Sequence, residues 1–500
     1  MKFDFKKFTN FNKKTTVFLI SEDLALSSLL KELDQEQSIS KALAADLGFK
    51  GKVGQILRVT PTAKALDSAL LIGIGKVAEL NEQACLVIGG QIATEANKMK
   101  LQAIELVLEP LASEHFDLAT IAAQIALGIK LNNYTFNKYF VNKKDMHTIS
   151  LETVVLYLEA FGKASELFAD EEHVANGVIL TRDLVAEPPN VLYPETLAER
   201  CKQLEKLGVK VRVFGEKEME KIGMHALLGV GRGSEKESKM VIMEWSGNPD
   251  KKADGPLAFV GKGVTFDTGG INLKPTSARI SDMKHDMGGA GVVVGLMHAL
   301  AARKSKVNAL GAIGIVENMP SGTAQRPSDV VTSLSGQTIE VENTDAEGRL
   351  VLSDVLYYVE QNYKPQLMVD LATLTGAIIM ALGEGGHAGL FANDDLLATQ
   401  LFEAGQKTGE LVWRLPMSDH YDRQINSEIA DVRNTSINSS AGAGSITAAQ
   451  FLKRFVTCKW AHLDIAGMAW SKRSTDYIPK GATGFGVRLL NSFVVDNYEK

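Results

Sequence analysis

Short apolar segments alternate with longer amphipathic segments along the chain. Glycines and polar turns bound the short segments, which predicts buried strands at Thr16–Ile20, Ala69–Gly73, Ala103–Leu108 and Thr153–Leu158. Between them, apolar residues recur three and four positions apart, which predicts helices at Asn81–Met99 and Leu118–Leu131. Alternation of this kind is typical of α/β proteins, in which helices connect parallel strands.

A long helix is predicted over Ala164–Ala186, and it ends before Pro188 and Pro189 because a proline pair stops a helix. The alternation then resumes, with predicted helices and strands at Pro194–Leu207, Val209–Phe214, Glu216–Ala226 and Met240–Trp245. We therefore expect an α/β protein with two domains, a smaller N-terminal α/β domain (residues 1–163) and a larger C-terminal α/β domain (residues 188–500), joined by a linker helix (residues 164–187). The larger domain should contain a mostly parallel central sheet flanked by helices.

The composition excludes several classes of protein. The three cysteines (Cys85, Cys201 and Cys458) lie far apart, so neither a disulfide framework nor a thiolate metal site is indicated. The formal net charge of −6 argues against general affinity for nucleic acid. No apolar stretch reaches membrane length, and Val17–Ile20 is too short for a signal peptide, so we expect no membrane partner and a cytoplasmic location.

Charged side chains are concentrated in the octet Asn343–Leu350 (Asn-Thr-Asp-Ala-Glu-Gly-Arg-Leu). If this segment is extended, Asp345, Glu347 and Arg349 project from one face. Gly348 leaves room for a close approach to the backbone. The apolar residues that follow are spaced as in a helix, which places Arg349 near a helix N-terminus, where an anion is favoured. The octet thus offers two metal ligands and an anion site, although a solvated acidic turn would have the same sequence.

A second charged segment follows the predicted strand Pro256–Val260, so its first members lie where α/β sheets usually place their chemistry. Together the two segments give a set of charged residues near glycines or strand ends: Lys262, Asp267, Lys274, Asp286, Asp345, Glu347 and Arg349. Four converging carboxylates repel one another unless cations lie between them. Two divalent ions balance four carboxylates, and paired ions form a known hydrolytic device. Unrelated surface charges are the alternative explanation.

These segments resemble the leucine aminopeptidase (cytosol aminopeptidase) family of two-metal exopeptidases. Asn343–Leu350 matches the family signature, and Gly261–Lys274, Asp370–Gly376 and His462–Gly467 also fit. The likeness covers residues 178–500, whereas residues 1–165 match only in their general α/β pattern. The resemblance implies that the C-terminal domain is catalytic and that the chain forms a cytoplasmic homohexamer.

The resemblance also implies two metal sites. Lys262, Asp267, Asp286 and Glu347 would hold the tightly bound ion. Asp267, Glu347 and Asp345, through its side chain and its carbonyl, would hold the more exchangeable ion. Zinc is implied in both sites, with manganese, magnesium or cobalt tolerated in the exchangeable one. A lysine binds a metal only as the neutral amine, which costs roughly 4–5 kcal/mol at pH 7.

The implied reaction is the release of N-terminal amino acids, preferentially Leu and other apolar residues, from peptides. A hydroxide that bridges the two metals attacks the peptide carbonyl. Lys274 would face that carbonyl and stabilise the oxyanion, while Arg349 would hold a bicarbonate that shuttles protons. The free α-amino group of the substrate would ligate a metal, so peptides need a free N-terminus.

Substrate-binding residues are implied in the same way. The Leu374 carbonyl and the Gly376 amide would contact the peptide backbone, while Met283, Thr373 and Ala466 would line an apolar pocket for the first side chain. For Met283, packing in the core explains the sequence equally well. An apolar pocket discriminates one methylene by only about 1–3 kcal/mol, so broad action is expected.

The sequence departs from the family pattern in two places that bear on backbone shape. Ser328 stands where the family usually has glycine, so serine adds strain if this position needs a positive φ. The spacing from Lys274 to Asp286 is one residue longer than in the family pattern, which predicts a bulge in the loop Thr276–Asp282.

Two alternative functions stay open. An accessory DNA-binding role would require a basic stripe on the N-terminal domain, for which these lysines are available: Lys50, Lys52, Lys98, Lys100, Lys138, Lys143 and Lys144. A two-metal hydrolase of another ester or amide class, such as a phosphatase, would use the same carboxylates but has no evident use for Lys262 as a ligand.

Overall fold

The computed structural model describes residues 1–9, 15–34, 37–60, 68–109, 117–142, 148–248, 250, 254–437 and 442–499. The fold divides into two compact units, Met1–Ala175 with Arg473–Lys480, and Asn176–Lys472 with Gly481–Lys500. The division falls inside the long helix α5 (Phe161–Ala186). The presence of α5 confirms the helix predicted over Ala164–Ala186. In the described part of the chain, no helix is long and apolar enough to cross a membrane.

The first unit contains a six-stranded sheet in the order β1-β6-β5-β2-β4-β3. Its strands are β1 (Lys2–Lys6), β2 (Thr15–Ile20), β3 (Ile56–Val59), β4 (Ser68–Gly73), β5 (Ala103–Val107) and β6 (Thr153–Tyr157). All neighbours are parallel except β3 and β4. The four predicted strands are confirmed as β2, β4, β5 and β6. The edge strands β1 and β3 escaped prediction because they are only partly buried and lack a continuous apolar run.

Helices α1 (Ser28–Leu33), α2 (Ser38–Ala45), α3 (Glu82–Lys98) and α4 (Leu118–Asn132) complete the first unit with the beginning of α5. Helices α3 and α4 pack backbone to backbone. A Cβ at Gly89 would lie 2.1 Å from the Ile125 carbonyl oxygen, and a Cβ at Gly128 would lie 2.3 Å from that of Leu86. Only glycine permits so close an approach. The apolar faces of both helices then share one core with the sheet.

The second unit is built on an eight-stranded sheet in the order β15-β14-β17-β13-β9-β10-β8-β7. Its strands are β7 (Lys210–Phe214), β8 (Lys239–Ser246), β9 (Leu257–Asp267), β10 (Asn308–Asn318), β13 (Leu367–Ala372), β14 (Ala388–Ala392), β15 (Val412–Arg414) and β17 (Trp460–Asp464). The four central strands, β17, β13, β9 and β10, are mutually parallel, and antiparallel pairs occur toward the edges. The predicted α/β fold with a mostly parallel sheet is therefore confirmed.

Smaller strands form a three-stranded sheet and a separate pair: β11 (Val330–Thr332), β12 (Thr338–Glu340) and β16 (Val432–Arg433), and then β18 (Trp470–Ser471) and β19 (Gly481–Ala482). The helices of this unit are α6 (Pro194–Lys202), α7 (Glu216–Ile222), α8 (His225–Gly231), α9 (Gly288–Ala302), α10 (Gly348–Tyr363), α11 (Gly376–Leu382), α12 (Asp395–Thr408), α13 (Asp419–Asp422), α14 (Gly444–Lys453) and α15 (Val487–Tyr498). The single helix predicted over Glu216–Ala226 is wrong, because Gly223 adopts a φ of 93° and ends α7.

Strand β9 is sandwiched between two helices, and this arrangement positions the charged residues. A Cβ at Gly261 would lie 2.7 Å from the Ala290 backbone of α9, so that face of the strand meets α9 directly. The next side chain, Lys262, points to the opposite face, because successive side chains alternate in a strand. There a Cβ at Gly348 would lie 2.6 Å from the Lys262 side chain, so α10 begins against this lysine.

Two sequence departures have a visible backbone consequence. Ser328 has a φ of 74°, so the predicted strain at this position is confirmed. The segment Thr276–Asp282 contains a 3-10 turn (Thr276–Ala278) and the start of a second one (Ile280–His285), which meet at Arg279 with a φ of 48°. The left-handed arginine ends the first turn and precedes the second.

We expect Ser328→Gly to stabilise the protein. The left-handed conformation destabilises the exposed serine by roughly 1–2 kcal/mol. Glycine avoids this strain but costs roughly 0.5–1 kcal/mol of stability, because the unfolded chain gains entropy. The hydrogen bond from the Ser328 N–H to the Val341 carbonyl (2.8 Å) is kept. The apparent Tm should rise by about 1–2 °C in calorimetry. Ser277→Gly, at an exposed serine without a positive φ, should not raise it; an equal rise in both variants would contradict the strain explanation.

Candidate metal centre

The predicted charged residues gather at the carboxyl edge of the parallel strands. Asp267 is the last residue of β9, and Asn318 ends β10 beside it in register. Asp464 ends β17, opposite Ala372 at the end of β13. The carboxyl ends of parallel strands lie at the same edge of a sheet, so these side chains converge there.

Lys262 lies at the centre of the cluster and is 2% exposed. Its Nζ is 2.8 Å from Asp286 Oδ1 and 2.8 Å from Glu347 Oε1, and it donates to the Thr373 carbonyl at 3.0 Å. Burial favours the neutral amine, but the carboxylates of Asp286, Glu347 and Asp267 outweigh it and raise the pKa of Lys262. The amine therefore carries a proton in this arrangement, and it must release that proton to bind a metal.

Lys274 bridges the remaining two carboxylates. Its Nζ is 2.7 Å from Asp267 Oδ2 and 2.6 Å from Asp345 Oδ1. The opposing effects of burial and of the surrounding carboxylates leave the pKa of Lys274 raised. Asp267 Oδ1 is held from the other side by the Asn318 amide at 2.8 Å and by the Gly269 N–H at 2.9 Å. The carboxylate of Asp267 is thus fixed by donors on both oxygens.

The donor set fits divalent metal ions. Asp267, Asp345 and Glu347 each offer a carboxylate oxygen, and these atoms lie within 4.8 Å of one another. Asp286 Oδ2 is buried and has no hydrogen-bond partner among the described residues, so a ligating oxygen is left over. Burial and the neighbouring carboxylates raise the pKa of Asp286 to about 8, since Lys262 only partly offsets them. Cations between these oxygens would remove that repulsion.

The octet Asn343–Leu350 is not extended, so the predicted alternation of its side chains is wrong. Asn343 Oδ1 accepts the Asp345 N–H at 2.8 Å and turns the chain, and Glu347 is already helical at a φ of −80°. Asparagine side chains commonly compete with extended structure in this way. Asp345 and Glu347 nevertheless converge, because the turn directs the first and the start of α10 directs the second.

Arg349 occupies the first turn of α10, as predicted, and is 7% exposed. Its Nη1 donates to the Asn434 carbonyl at 2.6 Å, while its Nε is buried without a hydrogen-bond partner among the described residues. Burial lowers the pKa of Arg349 to about 10, although Glu347 and Asp464 oppose the shift. A buried guanidinium with a spare N–H at a helix N-terminus suits an anion.

The predicted substrate-binding residues lie on loops beside the cluster. Thr373 follows β13 and its Oγ1 donates to Asp286 Oδ1 at 2.8 Å. The Leu374 and Ala466 N–H groups both donate to a carboxylate at the end of β17. Gly376 is exposed at the start of α11, with open space around it. Met283 is half-buried in the turn Ile280–His285, three residues before Asp286 of the cluster.

Three buried residues of this region were missed by the sequence interpretation: Asn318, Asn434 and Asp464. Asn318 and Asp464 end the apolar strands β10 and β17, which were not predicted, so position at the end of an apolar run was the available signal. Asn434 holds the octet through its amide, which accepts the Glu342 N–H at 2.8 Å and donates to the Asn343 carbonyl at 2.7 Å. No local pattern marks it, because its partners are distant in sequence.

His462, which begins one of the segments that resemble the family, is fully buried in β17. Its Nδ1 lies 2.6 Å from Asp370 Oδ1 on the neighbouring strand, and the Trp460 indole N–H donates to Asp370 Oδ2 at 2.7 Å. The three residues form a polar network inside the sheet.

Comparisons with known proteins place the chain in one family. The catalytic domain of the cytosol aminopeptidase family matches residues 179–491, and the N-terminal domain of that family matches residues 16–143. The probable cytosol aminopeptidase of Rhodopseudomonas palustris (strain TIE-1) is 52% identical over 478 residues, which cover 94% of this chain and 92% of that protein.

Two solved structures have the same fold. A mutant of tomato leucine aminopeptidase aligns with a TM-score of 0.87 and 32% identity, over 99% of this chain and 97% of that one. The bottromycin maturation enzyme BotP in complex with Mn aligns with a TM-score of 0.82 and 30% identity, over 96% of this chain and 98% of that one. The chain therefore belongs to the cytosol aminopeptidase family and is a metal-dependent aminopeptidase.

Proposed function

We propose that this chain releases Leu and other apolar residues from the free N-terminus of peptides at a centre of two divalent metal ions. The observation that carries the proposal is the buried cluster in which two lysines face four carboxylates at the carboxyl edge of the sheet. Such an excess of carboxylates has little structural value by itself, because buried charges cost free energy unless they are paired.

The tightly bound ion would take Lys262, Asp267, Asp286 and Glu347, and the exchangeable ion would take Asp267, Glu347 and the side chain and carbonyl of Asp345. Shared carboxylates hold paired ions close together. Zinc or manganese are the proposed metals, with magnesium or cobalt also accepted at the exchangeable site. BotP was solved in complex with Mn, which supports manganese for that protein and motivates testing it here.

Two divalent ions held by these residues would supply Lewis acidity and would lower the pKa of a water molecule toward 7, which would provide the nucleophile. Lys274 supplies positive charge beside Asp267 and Asp345, where the substrate carbonyl would approach. A cation placed at a developing oxyanion typically contributes a few kcal/mol to the transition state. Lys274 therefore has a catalytic role in the proposal.

Arg349 would hold a bicarbonate ion through its unpartnered Nε–H. The buried guanidinium fits a planar oxyanion, because the N–H donors of the one and the oxygen acceptors of the other lie in a plane. The bound anion would accept the proton of the attacking water and return it to the leaving amine. Asn434, which fixes Nη1, would keep the guanidinium in place for this task.

Specificity would arise on the loops after β13 and β17. The Leu374 carbonyl and the Gly376 N–H would bind the peptide backbone, while Met283, Thr373 and Ala466 would line the pocket for the first side chain. The substrate's free amine would complete the ligand shell of one ion, so an internal peptide bond would not be cut. Hydrolysis of another ester or amide class is the alternative reaction for the same carboxylates.

The assembly and location of the chain are also proposals. A cytoplasmic homohexamer is expected from the family resemblance. An accessory DNA-binding role would need the lysines of the first unit, of which Lys50, Lys52, Lys98, Lys100 and Lys138 are exposed. Lys143 and Lys144, which were part of the predicted stripe, lie outside the described residues.

Asp345→Asn should lower kcat for leucine amide at least about a hundredfold, because an amide is a weaker ligand than a carboxylate and leaves Lys274 with one fewer counter-ion. Steady-state kinetics, metal analysis and far-UV circular dichroism would be measured together. Asp395→Asn, a matched change at an exposed aspartate of α12, should behave as wild type. Full turnover by the Asp345 variant would remove this residue from the metal centre.

Arg349→Ala should lower kcat by about a hundredfold while both metals stay bound, because the variant loses the proton-transfer anion and not a metal ligand. Wild-type turnover should rise with added bicarbonate in carbonate-free buffer, and the variant should not respond. Arg349→Lys keeps the charge but not the planar fork, so an intermediate rate is expected. Loss of metal from the alanine variant would count against the anion role.

Leucine amide should be hydrolysed by the wild-type chain, whereas N-acetyl-leucine amide should not, because acetylation removes the amine that ligates a metal. A panel of aminoacyl amides and their acetylated forms, followed by amine release, tests this and ranks the first side chains. Hydrolysis of the acetylated compounds would overturn the exopeptidase assignment and favour the alternative class of hydrolase.

A further inference from the structure

The carboxylate of Asp464 connects the two loops to which substrate binding is assigned. It lies at the end of β17, is 1% exposed, and accepts three hydrogen bonds. Oδ1 accepts the Leu374 N–H at 3.1 Å and the Ala466 N–H at 3.3 Å, and Oδ2 accepts the Thr375 hydroxyl at 2.6 Å. Two of these donors belong to the loop after β13 and one to the loop after β17.

The peptide group between Thr373 and Leu374 is held from both sides. Its carbonyl accepts from Lys262 Nζ at 3.0 Å, and its N–H donates to Asp464. The C=O and N–H of a planar trans peptide point in opposite directions, so this one group spans the distance between a proposed metal ligand and the Asp464 carboxylate. The orientation of the following Leu374 carbonyl depends on this clamp.

A neutral side chain would not serve all three donors equally well. An ionised carboxylate is acceptor-only and offers about four lone-pair sites on two oxygens. The hydrogen-bond partners of Asp464 are neutral, and burial raises its pKa, so the group bears a desolvation cost. This cost is offset if the protein uses the carboxylate to hold its three donors in a fixed geometry.

We propose that Asp464 is a positioning residue that fixes the Leu374–Gly376 loop and the Ala466 loop relative to each other, so that the peptide substrate meets preformed backbone contacts. The inference rests on the proposed function and adds a residue that acts through Leu374 and Ala466 without touching substrate. A loop held in its binding conformation saves the ordering cost of association, so the effect should fall mainly on KM.

The test compares KM and kcat for leucine amide, together with metal content, in variants of the full chain. Asp464→Ala should raise KM about tenfold or more while kcat stays within threefold and metal content is unchanged. Asp464→Asn, which keeps an acceptor for the backbone N–H groups, should recover most of the affinity. Asp370→Asn is the matched control, because this buried aspartate on β13 binds His462 and Trp460 and should affect stability without changing KM.

Thr375 provides a second, milder pair of variants in case Asp464→Ala does not fold. Thr375→Val removes only the hydroxyl donor to Asp464 and the cap on the Ile378 N–H, and should raise KM about threefold; Thr375→Ser should keep the wild-type value. A KM within twofold of wild type in Thr375→Val and in any folded Asp464→Ala would overturn the positioning role. So would a loss confined to kcat with loss of metal, or an equal rise of KM in Asp370→Asn.

Failure of the proposed function and failure of the positioning role of Asp464 give different results. A wild-type chain that hydrolyses no aminoacyl amide would overturn the proposed function and this inference together. Normal wild-type turnover with unchanged KM in the variants would overturn the inference alone.

Discussion

Repulsion among carboxylates that are buried together is the constraint on which the second unit depends. Asp267, Asp286 and Glu347 are nearly inaccessible to solvent, and the amines of Lys262 and Lys274 form ion pairs with them and with Asp345. Burial raises the pKa of Asp286 and of Glu347 because charge is costly there. A protein pays such a cost where the charges serve cations, which is what a metal-dependent aminopeptidase requires.

Close packing of backbone on backbone brings these side chains together. The charged residues of the cluster come from β9, from the turn before α9 and from the turn before α10, so close contacts between those elements make the cluster compact. Any Cβ at Gly261, Gly289 or Gly348 would meet α9, β13 or Lys262 at 3 Å or less. Glycine at these points therefore lets the residues of the proposed metal centre come together, although it supplies no ligand.

The octet shows how a correct prediction can rest on a wrong premise. Two-residue spacing suggested that Asp345 and Glu347 share the face of an extended segment. In the structure an asparagine turn directs Asp345, and the N-cap position of α10 directs Glu347 to the same place. Ser328 is the reverse case. The family departure predicted strain there only if the position needs a positive φ, and the φ of 74° meets that condition, because left-handed backbone favours glycine.

The sequence by itself determined the α/β alternation, the long helix at the division of the chain and the identity of the charged residues, because apolar periodicity and short motifs are local properties. Only the tertiary structure decided which carboxylate meets which lysine, that Asn318 and Asn434 support the cluster, and that Asp464 joins the loop after β13 to the loop after β17. Those contacts join residues that are distant along the chain. They exist only after the parallel strands have placed their carboxyl ends at one edge, and no spacing within a segment can encode that meeting.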